Sequence, residues 1–162
     1  MRKKLIDCSK CQGCRSCEIA CIATHSKDGN LLGVYADSVE AAPRSRNRVE
    51  LSAVRTAFPQ FCRHCDQPAC LEACPVGAIQ KDAEGNVICD RDSCVACYMC
   101  VMSCPYGMAR PAFERGGAMF KCDGCVGKPH MACVSACPSG CLTSPGNSDA
   151  AIEYVEKRAQ TL

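Results

Sequence analysis

Hydrophobic residues in this chain come in short stretches, each broken by glycine, proline or cysteine, and none approaches the 18 residues of a membrane-spanning helix. Residues 76–80 and 86–90 flank Asp82-Ala83-Glu84-Gly85, which predicts a small hairpin. Residues 108–113 and 118–121 flank Glu114-Arg115-Gly116-Gly117 and predict a second. Wherever two cysteines stand four apart, the intervening residues predict a helix of one or two turns. Three of these are stopped by Pro75, Pro105 and Pro138. The first has no such proline, so its helix is expected to run on through Ile22 and Ala23 toward His25. Residues 26–48 read as a polar insertion ending in the basic run Arg44-Ser45-Arg46-Asn47-Arg48. Near the end, Ser148-Asp149 cap a predicted helix to about Gln160. Its positions Ala151, Ile152, Val155 and Ala159 share a face, and Lys157 and Arg158 sit where the helix dipole favours cations.

Composition changes the picture. The chain of 162 residues has length for one domain or two small pseudo-repeats. It holds four Tyr, four Phe and no Trp, too little bulk for a deep apolar core, so something else must hold it together. The 19 cysteines, about twelve per cent of the chain, are the candidates. Dense cysteine means either a disulfide scaffold in an oxidising compartment or metal binding in a reducing one. After Met1-Arg2-Lys3-Lys4 only Leu5 and Ile6 precede Asp7, so no signal-peptide apolar region is read there. The expected location is cytoplasmic, with reduced thiols that bind metal.

Sixteen of the cysteines form four quartets. The first is Cys11, Cys14, Cys17 and Cys21; the second Cys62, Cys65, Cys70 and Cys74; the third Cys94, Cys97, Cys100 and Cys104; the fourth Cys122, Cys125, Cys133 and Cys137. Each closes with the spacing C-x3-C, and the last three continue with Pro75, Pro105 or Pro138 and a glycine two residues later, Gly77, Gly107 or Gly140. Such self-similarity is an internal repeat. A [4Fe–4S] cube needs four thiolates. Three cysteines at two-residue intervals wrap one face of it, and the fourth, before proline, points toward a neighbouring cube as in two-cluster bacterial ferredoxins. The motifs are therefore expected to work in pairs. Structural zinc, held by separated C-x2-C pairs, and a disulfide scaffold are the competing readings, and neither needs this spacing. Four such sites, each −2, would turn the formal charge of +2 into about −6.

On these residues the sequence resembles the four-cluster ferredoxin-like subunits that accompany molybdopterin oxidoreductases, formate dehydrogenases, hydrogenases and carbon monoxide dehydrogenases. The resemblance covers about residues 5–145. It rests on Cys11-Gln12-Gly13-Cys14-Arg15-Ser16-Cys17-Glu18-Ile19-Ala20-Cys21, on Cys62-Arg63-His64-Cys65 to Cys74-Pro75, on Cys94 to Tyr106, and on Lys121-Cys122-Asp123-Gly124-Cys125 to Cys137-Pro138. Thr24-His25-Ser26 and Tyr98-Met99-Cys100-Val101-Met102 point most toward the iron–sulfur partner of carbon monoxide dehydrogenase.

The resemblance implies that motifs pair first with fourth and second with third. One site would take Cys11, Cys14, Cys17 and Cys137, and its neighbour Cys21, Cys122, Cys125 and Cys133. The other pair would be Cys62, Cys65, Cys70 with Cys104, and Cys94, Cys97, Cys100 with Cys74. It further implies an α+β fold of two pseudo-symmetric ferredoxin-like modules: residues 1–48 with 110–146, and a nested 49–109, followed by the C-terminal helix at 147–162. The implied role is electron relay between a redox enzyme and an acceptor protein, without catalysis. Carbon monoxide dehydrogenase is the expected partner, a formate dehydrogenase or hydrogenase the alternative. A structural or metal-sensing module is the non-relay reading. No nucleic-acid or membrane contact is implied, and the fourth motif's loop at 126–132 is shorter than in the larger relatives.

Three cysteines remain. Cys8 extends the first motif and offers a register slip for Cys11, while Cys89 and Cys141 read as small buried residues packed beside a cluster. His25, His64 and His130 are expected to support rather than ligate, because every quartet is complete without them; His64 is the best placed to hydrogen-bond near a sulfur. Two readings stand for Arg44, Arg46 and Arg48, a docking patch for an acidic partner or a solvated loop.

Overall fold

The computed structural model describes residues 4–26, 29, 44–53, 56–112 and 117–144. The expected C-terminal helix and the turn at 113–116 lie outside the described residues.

Short antiparallel pairs and short helices make up the fold. Strand β1 (Leu5–Ile6) is followed by a 3-10 turn (Cys8–Lys10), α1 (Ser16–Thr24), β2 (Arg48–Leu51) and β3 (Ala57–Gln60). Then come α2 (Ala69–Glu72), β4 (Ile79–Lys81), β5 (Val87–Cys89) and α3 (Met99–Ser103). Strands β6 (Arg110–Pro111) and β7 (Met119–Phe120), helix α4 (Ala132–Ser135) and strand β8 (Leu142–Thr143) complete the order. The pairs are β1–β8, β2–β3, β4–β5 and β6–β7. Leu5 lies opposite Thr143 and Ile6 opposite Leu142, and the Asp7 N–H donates to Cys141 O at 2.9 Å, so the two ends of the described chain are sewn together. Helix α1 packs on α4, and α2 on α3. The first motif thus lies beside the fourth and the second beside the third.

Both hairpins read from the sequence form, with later starts. Residues 76–78 turn after Cys74, and the ladder begins at Ile79, opposite Cys89. Asp82 closes this hairpin: its carboxylate accepts from the Asn86 backbone N–H at 2.7 Å and from the Asn86 side-chain amide at 2.9 Å. Helix α1 runs on to Thr24 as expected. The reading of 26–48 as a polar insertion is corrected at its end. Arg48 opens strand β2, with Val49, Ala57 and Pro59 buried on one face and Glu50 and Phe58 exposed on the other. The sequence boundary at 48/49 therefore falls inside a strand.

Two apolar clusters fill the interior. One joins Cys17, Val49, Ala57, Phe61, Met131 and Val134 with further cysteines; the other joins Ile79, Val87, Ala109 and Met119 around Cys100. Val87 and Met119 are each 1% exposed, a burial that stabilises by about 1.5–3 kcal/mol per side chain.

Candidate metal centres

All nineteen cysteines are free thiols. Each motif loop is bent by residues in the left-handed backbone region. Among the described residues, five non-glycine residues have positive φ, Arg15, His64, Ala96, Tyr98 and Cys125, and all lie within the cysteine motifs. Such conformations cost about 1–3 kcal/mol each and persist where the surroundings fix them, typically at functional sites. Alternating right- and left-handed residues turn successive N–H groups inward, which makes a cradle for negative charge.

Thiols from segments far apart in the sequence lie near enough to act on one another. Burial pushes Cys133 up to about 12, Lys4 opposes, and Cys122, Cys125 and Cys21 add to the rise. Cys70 is raised by burial, countered by Lys121, and raised further by Cys62, Cys104 and Cys65. Burial also lifts Cys17 to about 12, with Glu18, Cys137 and Cys14 adding. Cys100, raised to about 11 by burial, interacts with Cys94 and Cys74, and also with Cys70. Two sets of thiols line cavities: Cys11, Cys14, Cys17, Cys137 and Cys141 one, and Cys74, Cys89, Cys94, Cys97 and Cys100 the other.

The proline–glycine turns explain the repeated Cys-Pro ending. At Cys74 burial would raise the pKa, but the N–H groups of Ile79, Val76, Ala78 and Gly77 outweigh it and bring it down. At Cys104 the N–H groups of Met108, Ala109, Tyr106 and Gly107 do the same, with Met108 N 3.4 Å from the sulfur. The left-handed glycines at 77, 107 and 140 let each turn fold back on its own sulfur.

The fourth motif has the densest support. Lys4 Nζ donates to Cys122 Sγ at 3.1 Å and lies 5.4 Å above the Phe61 ring. Burial would raise Cys122, yet Lys4, His64 and the Gly124 N–H lower it to about 6, leaving a thiolate, the form that binds metal. His64 is 5% exposed and its Nδ1 accepts the Val87 N–H at 3.0 Å, while its buried Nε2 has no hydrogen-bond partner among the described residues. The ring bears on Cys122, as the sequence reading of a residue near sulfur expected, without a direct bond to it. Lys121 is buried as well; its ammonium donates to the carbonyls of Val87 and of Cys122, and its charge bears on Cys62 and Cys70.

His25 supports rather than ligates. Nδ1 donates to Cys21 O at 2.8 Å and Nε2 to Asp123 at 3.2 Å. Burial would lower its pKa, but Asp123 and Cys21 raise it to about 9, so both nitrogens carry protons. His25, Asp123 and Cys125 also bring their ligand atoms within 4.8 Å of one another. His130 is exposed. Arg46 and Arg48 are both partly buried and ion-paired, so neither is a freely solvated loop residue. Arg46 pairs with Asp123 at 2.6 Å, and Arg48 holds Gln60 and Glu50 across β2–β3. Arg44 is exposed. Lys4, Lys121 and Asp123 were not singled out by sequence; a charge next to a cysteine motif was the one available signal.

Gly124 sits at φ +72, and a Cβ there would stand 3.0 Å from Asn86 Oδ1. Gly124→Ala is expected to cost about 1–2 kcal/mol for the left-handed backbone alone, more with the contact, and to slow cluster loading, read by thermal melting and by iron content. Lys4→Met is expected to lower the reduction potential of the centre that includes Cys122 by on the order of 60 mV, the equivalent of one lost charge-assisted hydrogen bond. A redox titration followed by EPR checks it, with Lys4→Arg keeping the potential.

These residues fit iron–sulfur groups: thiols brought together from separate motifs, amides turned onto sulfur, and compensating lysines. Among the described residues, no helix is long and apolar enough to cross a membrane.

Comparison with known proteins agrees. Residues 53–147 match the family described as 4Fe-4S dicluster domain. A probable anaerobic dimethyl sulfoxide reductase chain, YnfG, of Escherichia coli is 37% identical over 144 residues, covering 82% of this chain and 67% of the relative. The iron-sulfur subunit of the nitrate-inducible formate dehydrogenase of Escherichia coli is 31% identical over 174 positions, 98% of this chain and 58% of the relative. The electron transport protein HydN of Escherichia coli is 31% identical over 172 positions, 97% of this chain and 95% of the relative. The left-handed loops, the thiols brought together from separate motifs and these relatives agree, and the chain belongs to the 4Fe-4S dicluster family, the ferredoxin-like iron–sulfur subunits of oxidoreductases that carry [4Fe–4S] clusters.

Proposed function

We propose that this chain is a non-catalytic electron relay that holds four [4Fe–4S] clusters and passes electrons between a redox enzyme and an acceptor protein. The observation that carries the reading is the gathering of thiols from segments far apart in sequence, such as Cys21 with Cys122, Cys125 and Cys133. When bound, each cluster supplies one-electron redox chemistry. The sixteen ligands are assigned to sites of Cys11, Cys14, Cys17 and Cys137; Cys21, Cys122, Cys125 and Cys133; Cys62, Cys65, Cys70 and Cys104; and Cys74, Cys94, Cys97 and Cys100. The two-module division, 1–48 with 110–146 around 49–109, belongs to this proposal and is supported by the packing of α1 on α4 and α2 on α3.

An order of sites follows. Cys17 and Cys21 share helix α1, the charge of Cys122 bears on Cys62, and that of Cys70 on Cys100. The sites then form a row, with the Cys14 site at one end and the Cys97 site at the other. Lys4 and Lys121 offset the negative charge of the two inner sites. Cys14 and Cys97 are exposed, so each end presents a ligand to a partner.

For the partner, the formate dehydrogenase subunit and the dimethyl sulfoxide reductase chain among the relatives favour an oxidoreductase of that kind. The carbon monoxide dehydrogenase reading rests on the motif resemblance at Thr24-His25-Ser26 and residues 98–102. A cytoplasmic location is part of the proposal, since cysteines that must stay reduced to bind iron suit a reducing compartment. Anaerobic co-purification from native extract tests it. Recovery of a formate dehydrogenase or reductase subunit supports the first partner, recovery of carbon monoxide dehydrogenase the second, and a colourless protein that recovers neither contradicts the relay.

A further inference from the structure

The sixteen-ligand assignment leaves Cys8, Cys89 and Cys141. Two of them sit inside cavities that already hold four thiols. Cys89 lines the cavity of Cys74, Cys94, Cys97 and Cys100, and Cys141 lines that of Cys11, Cys14, Cys17 and Cys137. Cys89 is half-buried at the end of β5, its thiol donating to the Asp90 carbonyl at 3.6 Å; Cys141 is 2% exposed, just before β8. Cys8 is exposed and lines a groove with Arg63 and Tyr106 instead.

The distribution is selective. Of the sixteen assigned ligands, the exposed ones are Cys14 and Cys97. They belong to the same two sites that contain a fifth thiol. The sites of Cys62, Cys65, Cys70 and Cys104 and of Cys21, Cys122, Cys125 and Cys133 have no exposed ligand; the exposed Cys8 borders the first of them in an open groove with Cys62 and Cys65. Packing alone gives no reason for this coincidence, since a buried alanine or valine would fill the same space.

We propose that Cys89 and Cys141 are reserve ligands, each able to take over the iron of its site when the exposed cysteine there is lost or blocked. The proposal rests on the four-cluster reading above. The exchange needs no oxidant or reductant: the iron–sulfur bond to the outgoing cysteine breaks, the reserve thiol gives its proton to water, and its sulfur forms the new bond to the same iron. Electrons stay where they were. The consequence is that the two solvent-facing ends of the relay survive alkylation or oxidation of their outermost ligand.

The test compares end sites with inner sites in protein loaded anaerobically, with iron, acid-labile sulfide and EPR as readouts. Wild-type protein carrying about sixteen irons establishes the underlying reading; a value near zero sinks that reading rather than this one. Given that, Cys97→Ala and Cys14→Ala are expected to keep four four-iron clusters, as are Cys89→Ala and Cys141→Ala. The pairs Cys89→Ala with Cys97→Ala, and Cys141→Ala with Cys14→Ala, are expected to lose one cluster, to about twelve irons, while the other three keep their EPR signals. Cys125→Ala and Cys133→Ala, in a site with no reserve assigned, are expected to lose one cluster as single variants. A three-iron EPR signal or a lost cluster in Cys97→Ala and Cys14→Ala alone overturns the proposal, as does a paired variant no worse than its single parent.

Discussion

Stripping iron from the folded protein with a chelator under reducing conditions is expected to unfold it. The elements left behind do not hold by themselves. Helices α2, α3 and α4 have four, five and four residues, far below the length at which an isolated helix persists. The strand pairs are two to four residues long, and a lone two-stranded hairpin is marginal. The first core counts four cysteines among its ten buried residues, Cys17, Cys125, Cys133 and Cys141. Losing the two groups that hold Cys17 and, separately, Cys125 and Cys133 opens the core and leaves the described non-glycine residues of positive φ with nothing to fix them. Metal binding and folding are then one transition. Circular dichroism should show loss of ordered structure with chelation and its return with iron, sulfide and thiol. A metal-free chain that still melts cooperatively would contradict this.

Cys104→Ala is expected to remove one cluster, and the identity of that cluster tests the crossed pairing. Cys104 follows α3 in the third motif, yet its charge bears on Cys70 of the second. If Cys104 completes the site of Cys62, Cys65 and Cys70, then Cys70→Ala and Cys104→Ala strike the same site. Each single variant and the double variant should hold about twelve irons. If each motif instead holds its own cluster, the double variant loses two, to about eight irons. Loss of Cys104 also removes a tie between α2 and α3, so the melting temperature should fall with the iron. Non-additivity in iron content therefore reports the pairing directly, whatever the stability cost.

Much of the site was legible in the sequence because its chemistry depends on local spacing. Two- and three-residue gaps between cysteines, and proline with glycine after the last, are set by the loop around a cube, and the structure places left-handed residues and inward amides at those positions. The extension of α1 to Thr24 was legible from a missing proline. The β1–β8 pair was not, since two-residue strands carry no alternation and their pairing joins residues 5–6 to 142–143. The β2–β3 hairpin was hidden by Pro59 and by the basic run before it, although Val49, Ala57 and Pro59 do alternate with polar or exposed neighbours. Lys4 and Lys121 were illegible for a different reason. A lysine is buried only where negative sulfur from elsewhere in the chain compensates it, and that is decided by tertiary contact. The pairing of Arg46 with Asp123 was illegible for the same reason.

The most direct measurement is the iron, zinc and acid-labile sulfide content of anaerobically purified protein, combined with a dithionite titration of its visible absorption. The account predicts about sixteen irons and sixteen sulfides per chain and bleaching by about four electrons. Stoichiometric zinc without sulfide, and a spectrum that dithionite leaves unchanged, would contradict it.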